Sequence, residues 1–344
     1  MLSYQKSKES EIYMTEQTPS TAQMDRVLPF QVDGLDVRGR MVHLNESVTS
    51  IIKRHDYPDA VNRLLAEAIA LTALLGSSLK FEGKLILQVQ SQGAVNMLVV
   101  DFDAPDAMRA YVRFDAEALE ELVRKGETKP EQLLGEGHLV MTIDQGQYMN
   151  RYQGVVVLDG KSLEEAAHSY FMQSEQLPTR VRLAATEMVS RQEGDEPKSE
   201  WLAGGLLVQY LPHSSEDIPH RDLHPGDHPD PEKQATLHVT EADAWRECEA
   251  LVSTIDDHEL TDPEVPAETL LYRLFHENNP RVYEATPVFD RCSCSRERIG
   301  TMLGNFKADE LEDMVVDGKI EVTCEFCSAH YEFDPEEARQ IAKA

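Results

Sequence analysis

The chain has 344 residues, 33 basic against 62 acidic side chains and a formal net charge of −29, so it repels phosphate backbones and nucleic acid is not its expected partner. Its hydrophobic content of 41% can fill a core in more than one domain, while the longest near-apolar run, AIALTALLG at 68–76, is too short to span a bilayer. Five cysteines are too few for a secreted disulfide scaffold, so the expectation is a soluble cytoplasmic protein, not a membrane one, whose thiols are kept reduced.

Residues 1–23 are polar and lack an apolar h-region, which predicts a disordered N-terminal tail, with Met14 and Met24 as alternative starts. Residues 24–212 then predict an α+β core domain, a mixed sheet packed with helices. VRGRMVHL at 37–44 alternates as a strand. After Pro58, the residues Val61, Leu64, Leu65, Ala68, Ile69, Thr72 and Leu75 recur at helical spacing, and Gly76 marks the helix end. The strand-like runs GKLILQVQS, AVNMLVVDF, MRAYVRF, GHLVMTID and YQGVVVLDG follow, parted by Gly, Asp or Pro, and predict a largely antiparallel meander. Ser162 with Glu165 three residues later forms a capping box that opens a helix. TRVRLAATEMV and WLAGGLLVQYLP return to strand character, completing what is expected to be one sheet.

Residues 213–240 hold five of the twelve histidines, four prolines and six acids, and predict a flexible insertion with too little apolar surface to fold. The histidines are irregularly spaced, so a solvated loop is favoured over a metal site. Residues 241–283 predict a helical linker, with Trp245, Cys248, Leu251, Val252 and Ile255 on one face and AETLLYRLFHE repeating the amphipathic pattern. Cys248 on that stripe reads as a buried, inert thiol. GVVVLDGKS at 154–162 superficially resembles a phosphate loop. It has five residues between its glycines, and VVVLD is a strand, so nucleotide binding is not expected there. No Ser/His/Asp arrangement stands out, and the chain is not expected to be an enzyme.

Residues 284–344 form the last unit, a small zinc-binding domain. Cys292 and Cys294 make CxC, Cys324 and Cys327 make CxxC, and 29 residues separate the pairs. Two such knuckles can place four soft sulfurs in a tetrahedron, which suits one Zn²⁺ and leaves no open position for hydrolytic water. A unit this small buries little, so metal binding would supply much of its folding free energy, on the order of 10 kcal/mol. Arg291, Arg296 and Arg298 adjoin the first pair and could offset the thiolate charge. A static zinc knuckle and a redox-sensitive one both fit this spacing. A thioredoxin-type catalyst fits less well, because no βαβ pattern surrounds the CxxC.

RCSCSRERI and IEVTCEFCSAHYEFD, together with VRGRMVHL, YFMQSEQLPTR and GGLLVQYLP in the same order along the chain, resemble the heat shock protein 33 family of redox-regulated chaperonins. The resemblance covers about Val27 to Phe333 and departs from the family in the N-terminal tail and the 213–240 insertion. It implies an ATP-independent holdase that is inactive and monomeric when reduced and zinc-bound at Cys292, Cys294, Cys324 and Cys327. It further implies that oxidation forms the disulfides Cys292–Cys294 and Cys324–Cys327, releases zinc, and unfolds the switch and linker. The oxidised protein would dimerise and hold unfolded or oxidatively damaged clients, as a stress response. A CxC disulfide closes a very small ring and would be easily reduced afterwards. The alternative is a structural zinc-ribbon adaptor without redox switching. Residues 284–344 carry 14 acids and 7 bases, which disfavours a nucleic acid as its partner.

Overall fold

The structure is a computed structural model, and it describes residues 12–13, 24–78, 83–145, 151–191, 197–211 and 243–337. The 213–240 insertion and all of the 1–23 tail except residues 12–13 lie outside the described residues. Those two form the short strand β1 (Ile12–Tyr13).

The first layer begins with β2 (Arg26–Val32) and β3 (Val37–Leu44). Two helices follow, α1 (Glu46–Lys53) and α2 (Asp59–Gly76). A meander of β4 (Lys84–Ser91), β5 (Val95–Asp103), β6 (Ala107–Phe114), β7 (Gly137–Asp144) and β8 (Tyr152–Val157) comes next, with α3 (Ala116–Lys125) and α4 (Pro130–Leu134) between β6 and β7. The chain then runs through α5 (Leu163–Tyr170), which opens on the Ser162–Glu165 capping box, into the long strands β9 (Thr179–Ser190) and β10 (Lys198–Tyr210).

These strands make two sheets where one was expected. The first is seven-stranded, in the order β1-β11-β2-β3-β10-β9 with β12 also on β2; β11 is Pro280–Val282 and β12 is Thr286–Pro287. The second runs β13-β6-β5-β4-β7-β8, where β13 is Phe289–Asp290. It is mixed, because β13 lies parallel to β6 and every other pair is antiparallel. Strand alternation fixes which side chains share a face, but not which sheet a strand joins. The division is made by α2, which packs against β3, β9 and β10 on one side and β4, β5 and β6 on the other. Its AIALTALLG run is apolar all round because both of its faces are covered. The one hydroxyl in that run, Thr72, is satisfied by the Ala68 carbonyl at 2.7 Å.

A helical layer covers the other face of the first sheet: α6 (243–253), α7 (Asp257–Thr261) and α8 (Ala267–Phe275). The segment expected as a linker therefore lies against the core. Cys248, Val252, Leu270, Leu271 and Phe275 pack on Leu28, Phe30, Met41, Leu206 and Val208. The Gly204-Gly205 pair explains how β10 sits between two helical layers. A Cβ on Gly204 would fall 1.8 Å from the Leu260 carbonyl oxygen of α7, and one on Gly205 would press on Leu74 of α2 at 3.0 Å.

The C-terminal unit comprises α9 (Arg296–Leu303), α10 (Ala308–Asp313) and a three-stranded sheet of β14 (Val315–Val316), β15 (Lys319–Thr323) and β16 (His330–Phe333). Among the described residues, Leu303, Leu311, Ile320 and Phe333 form its fully buried apolar centre. Four side chains are too few to hold such a unit by apolar burial alone.

Candidate metal centre

The first cysteine pair lies between β13 and the N-terminus of α9, where Ser295 caps the helix by accepting from the Arg298 N–H at 3.2 Å. The positive end of that helix favours an anionic sulfur just before it. The second pair lies in the β15–β16 turn. Here Cys324 N–H donates to Ala329 and Ser328 N–H to Cys324, at 2.9 and 2.8 Å, and Ser328 takes the left-handed conformation at φ 57°.

The turns bring all four sulfurs, Cys292, Cys294, Cys324 and Cys327, within 4.8 Å of one another. All are free thiols. Zinc–sulfur bonds of about 2.3 Å in a tetrahedron put the sulfurs roughly 3.8 Å apart. Cys292 and Cys324 stand at 3.8 Å, and Cys294 and Cys327 at 3.3 Å. Both short separations run between the knuckles, as expected of four ligands facing one centre. Geometry and donor set fit a Zn²⁺ ion with a closed four-thiolate shell.

The sulfurs are not equivalent. Burial pushes the Cys294 thiol up, but hydrogen bonds from the Tyr331 hydroxyl at 3.2 Å and from the other sulfurs outweigh it and bring the thiol down to about 7. Burial pushes Cys324 and Cys327 up. Cys248 stands apart: it is buried in the α6 layer, and desolvation followed by the Glu249 and Glu247 charges pushes its thiol up to about 12. That is the inert thiol expected of it.

Two of the three expected charge partners pair with carboxylates, and the third holds the backbone between Cys292 and Cys294. Arg291 pairs with Asp106 at 3.3 Å, Arg296 with Glu337 at 2.8 Å, and Arg298 donates to the Ser293 carbonyl at 2.7 Å. The guanidinium that reaches a cage sulfur belongs to Arg109 on β6. It stands 3.8 Å from Cys292 Sγ, donates to Ser293 Oγ at 3.2 Å, and lies over the Phe326 ring at 3.9 Å. Arg109 thus touches the residue inside CxC and one inside CxxC. Its other side is anchored on Asp101, 4% exposed, through bonds of 2.8 and 2.6 Å.

Arg109 is the first of three outward residues of β6 that meet the second knuckle. Tyr111 packs edge-on against Phe326 at 4.8 Å, and Arg113 donates to Glu325 at 2.8 Å. Ser328 donates to the Arg54 carbonyl at 3.0 Å, and the Arg54 side chain binds Asp290 of β13 at 2.7 Å. Sequence reading missed this set. Its only signal was the Arg-Tyr-Arg alternation in MRAYVRF, which says that one strand face is polar and aromatic without saying what covers it. A second trio on the same unit, Glu321, His330 and Glu332, is exposed, and Lys319 already pairs with Glu332.

Fold and site together define an α+β protein of two large sheets, with a small unit docked on the second whose four cysteines are placed as a metal site would need. The family model described as Hsp33 protein matches residues 25–334, and the chain belongs to that chaperone family. The 33 kDa chaperonin of Caulobacter vibrioides is 44% identical over 326 residues, covering 94% of this chain and 99% of the relative. That of Pseudomonas putida is 37% identical over 316 residues, covering 91% of each. The crystal structure of the 33 kDa chaperonin from Thermotoga maritima shares the fold, with a TM-score of 0.68 at 22% identity over 93% of this chain and 98% of that one. Among the described residues, no helix is long and apolar enough to cross a membrane.

Proposed function

We propose that the chain is a redox-controlled, ATP-independent holdase whose reduced state is held closed by Zn²⁺ on Cys292, Cys294, Cys324 and Cys327. The observation that carries this reading is the convergence of four sulfurs on a unit with four fully buried apolar side chains. Zinc in such a shell supplies a redox-inert cross-link, so an oxidant must act on the sulfurs. Each disulfide removes two thiolate ligands and with them the chief support of the unit's fold.

The pairing Cys292–Cys294 and Cys324–Cys327 is the one the family resemblance implies, and it requires the sulfurs to leave the cage, where the short separations run between the knuckles. Once the cage opens, the contacts of Phe326, Glu325 and Ser328 with β6 and α1 go with it. The helices of 241–283 then separate from the first sheet and expose apolar surface such as Leu28, Phe30, Met41, Leu206 and Val208. That surface binds unfolded or oxidatively damaged clients, and the same exposure drives dimerisation of the oxidised form.

The test is light scattering from a thermally unfolding client in the presence of reduced protein or of peroxide-treated, zinc-depleted protein. Suppression by the oxidised form alone is expected. Equal behaviour of the two forms refutes switching and leaves a structural zinc-ribbon adaptor. The double substitution Cys292→Ser and Cys294→Ser is expected to abolish tight zinc binding while leaving both large sheets folded. One zinc per chain in that variant would refute the ligand assignment.

A further inference from the structure

The inward face of β3 changes character part-way along. Leu44 and Val42 belong to the core around α2, but the next two residues on that face are Arg40 and Arg38. Beyond the C-terminal end of α2 they line a cavity of about 270 Å³ between the two sheets. One wall is Arg38, Arg40 and Gln209; the facing wall is Leu85, Met141 and Ile143.

The polar wall holds a buried group without a partner. The Arg40 Nε is buried without a hydrogen-bond partner, and among the described residues neither guanidinium pairs with a carboxylate. Burial and the adjacent Arg38 charge bring the Arg40 guanidinium down to about 10, so the two cations press on each other. Glu175 also lines the cavity, but its carboxylate accepts from the Tyr152 hydroxyl at 3.4 Å. The end of α2 does not need the arginines. Its last carbonyls, on Ala73, Leu74 and Leu75, already accept from Ser77 and Ser78. A further wall is the turn Phe171–Glu175, wound as a π-helix, a form that recurs at functional sites.

Two unpaired cations facing an apolar wall in a cleft between sheets have the make-up of a ligand pocket. We propose that this cavity binds a small amphipathic anion, a carboxylate on a short hydrocarbon body, with its head between Arg38 and Arg40 and its body against Leu85, Met141 and Ile143. The cavity shares no lining residue with the cysteine cage and does not depend on the holdase reading.

Octanoate is the probe, titrated calorimetrically into the reduced, zinc-loaded full chain, with octanol as the uncharged comparison. Saturable binding of one octanoate per chain is expected, at least about tenfold tighter than octanol, since a hydrogen bond to a charged group is being read. In protein carrying ¹³C-methyl methionine, the Met141 signal, assigned by Met141→Leu, should shift on addition. Arg40→Met should weaken octanoate binding at least about tenfold and leave octanol unchanged, whereas Arg40→Lys should retain most of it. Should Arg40→Met fail to fold, Arg38→Gln gives the same comparison from a more exposed position. Octanoate binding no tighter than octanol, insensitive to these substitutions, or without a Met141 shift would overturn the assignment. So would the absence of saturable binding.

Discussion

Replacing Arg109 with leucine should loosen the cysteine unit from the core while leaving the cage able to bind metal. The side chain gives the docked state a stacking contact with Phe326 and a hydrogen bond to Ser293. A part-desolvated cation–π contact contributes about 1 kcal/mol and a charged hydrogen bond about 1.5 kcal/mol. Their sum, about 2.5 kcal/mol, is roughly a seventyfold change in the ratio of docked to undocked tail. The substitution also leaves Asp101 with Lys84 at 3.5 Å as its remaining partner, so the second sheet is weakened as well. Phe326→Leu separates the two effects, because it removes the stacking and keeps the Arg109–Asp101 pair. Hydrogen exchange of the Cys324 and Ser328 amides, with bound zinc counted in parallel, reads the result. Faster exchange at full zinc content is expected in both variants, with a coupling of about 1 kcal/mol between the two positions in a double-mutant cycle. Zinc lost without peroxide, or exchange unchanged in Arg109→Leu, would show that the contact does not dock the unit.

Three other outcomes are expected. Gly204→Ala should cost about 3 kcal/mol in urea unfolding, because the added methyl meets the Leu260 carbonyl and must push α7 off β10; a neutral result would mean that the helical layer is not seated as described. Glu67 on α2 is pushed up to about 8 by burial, then by the Glu164 and Asp257 charges, so the folded protein keeps a proton that the unfolded chain loses near 4.5. Its contribution is therefore lost as pH rises from 4.5 to 8, and Glu67→Gln should gain on the order of 3 kcal/mol over wild type at pH 8 and little at pH 4.5; parallel pH slopes would refute this. Of the five thiols, four should react with a disulfide reagent once zinc is chelated, and Cys248 only after unfolding, so rapid labelling of five in the native protein would contradict its burial.

Much of the site was legible before the structure because metal ligation constrains sequence tightly. Thiolates two or three residues apart in two clusters leave few geometries, and the four sulfurs converge as their spacing implied. Strands were legible where alternation was clean: VRGRMVHL is β3, residue for residue. The division into two sheets was not, because α2 reads the same whether it lies on one sheet or between two. β2 escaped notice because Pro29 interrupts it, although Pro29 still pairs opposite Arg40 and its carbonyl accepts from Tyr283. Sequence proximity alone points to Arg291, Arg296 and Arg298 for the charge balance. The partner that reaches the sulfur, Arg109, is 183 residues from Cys292, a distance no local pattern bridges.

Between the helical layer and the cysteines the backbone crosses from one sheet to the other in five residues. Thr286 and Pro287 pair with β2, Val288 is buried and its N–H is held by the Asp25 carbonyl, and Phe289 and Asp290 pair with β6. This stretch is a stitch through both layers, with the cysteine unit as its knot. Under the proposed switch, pulling the knot would bare the hydrogen-bonding rims of β6 and β2 in turn, and damage to a few sulfur atoms would be felt as unlacing of the body itself.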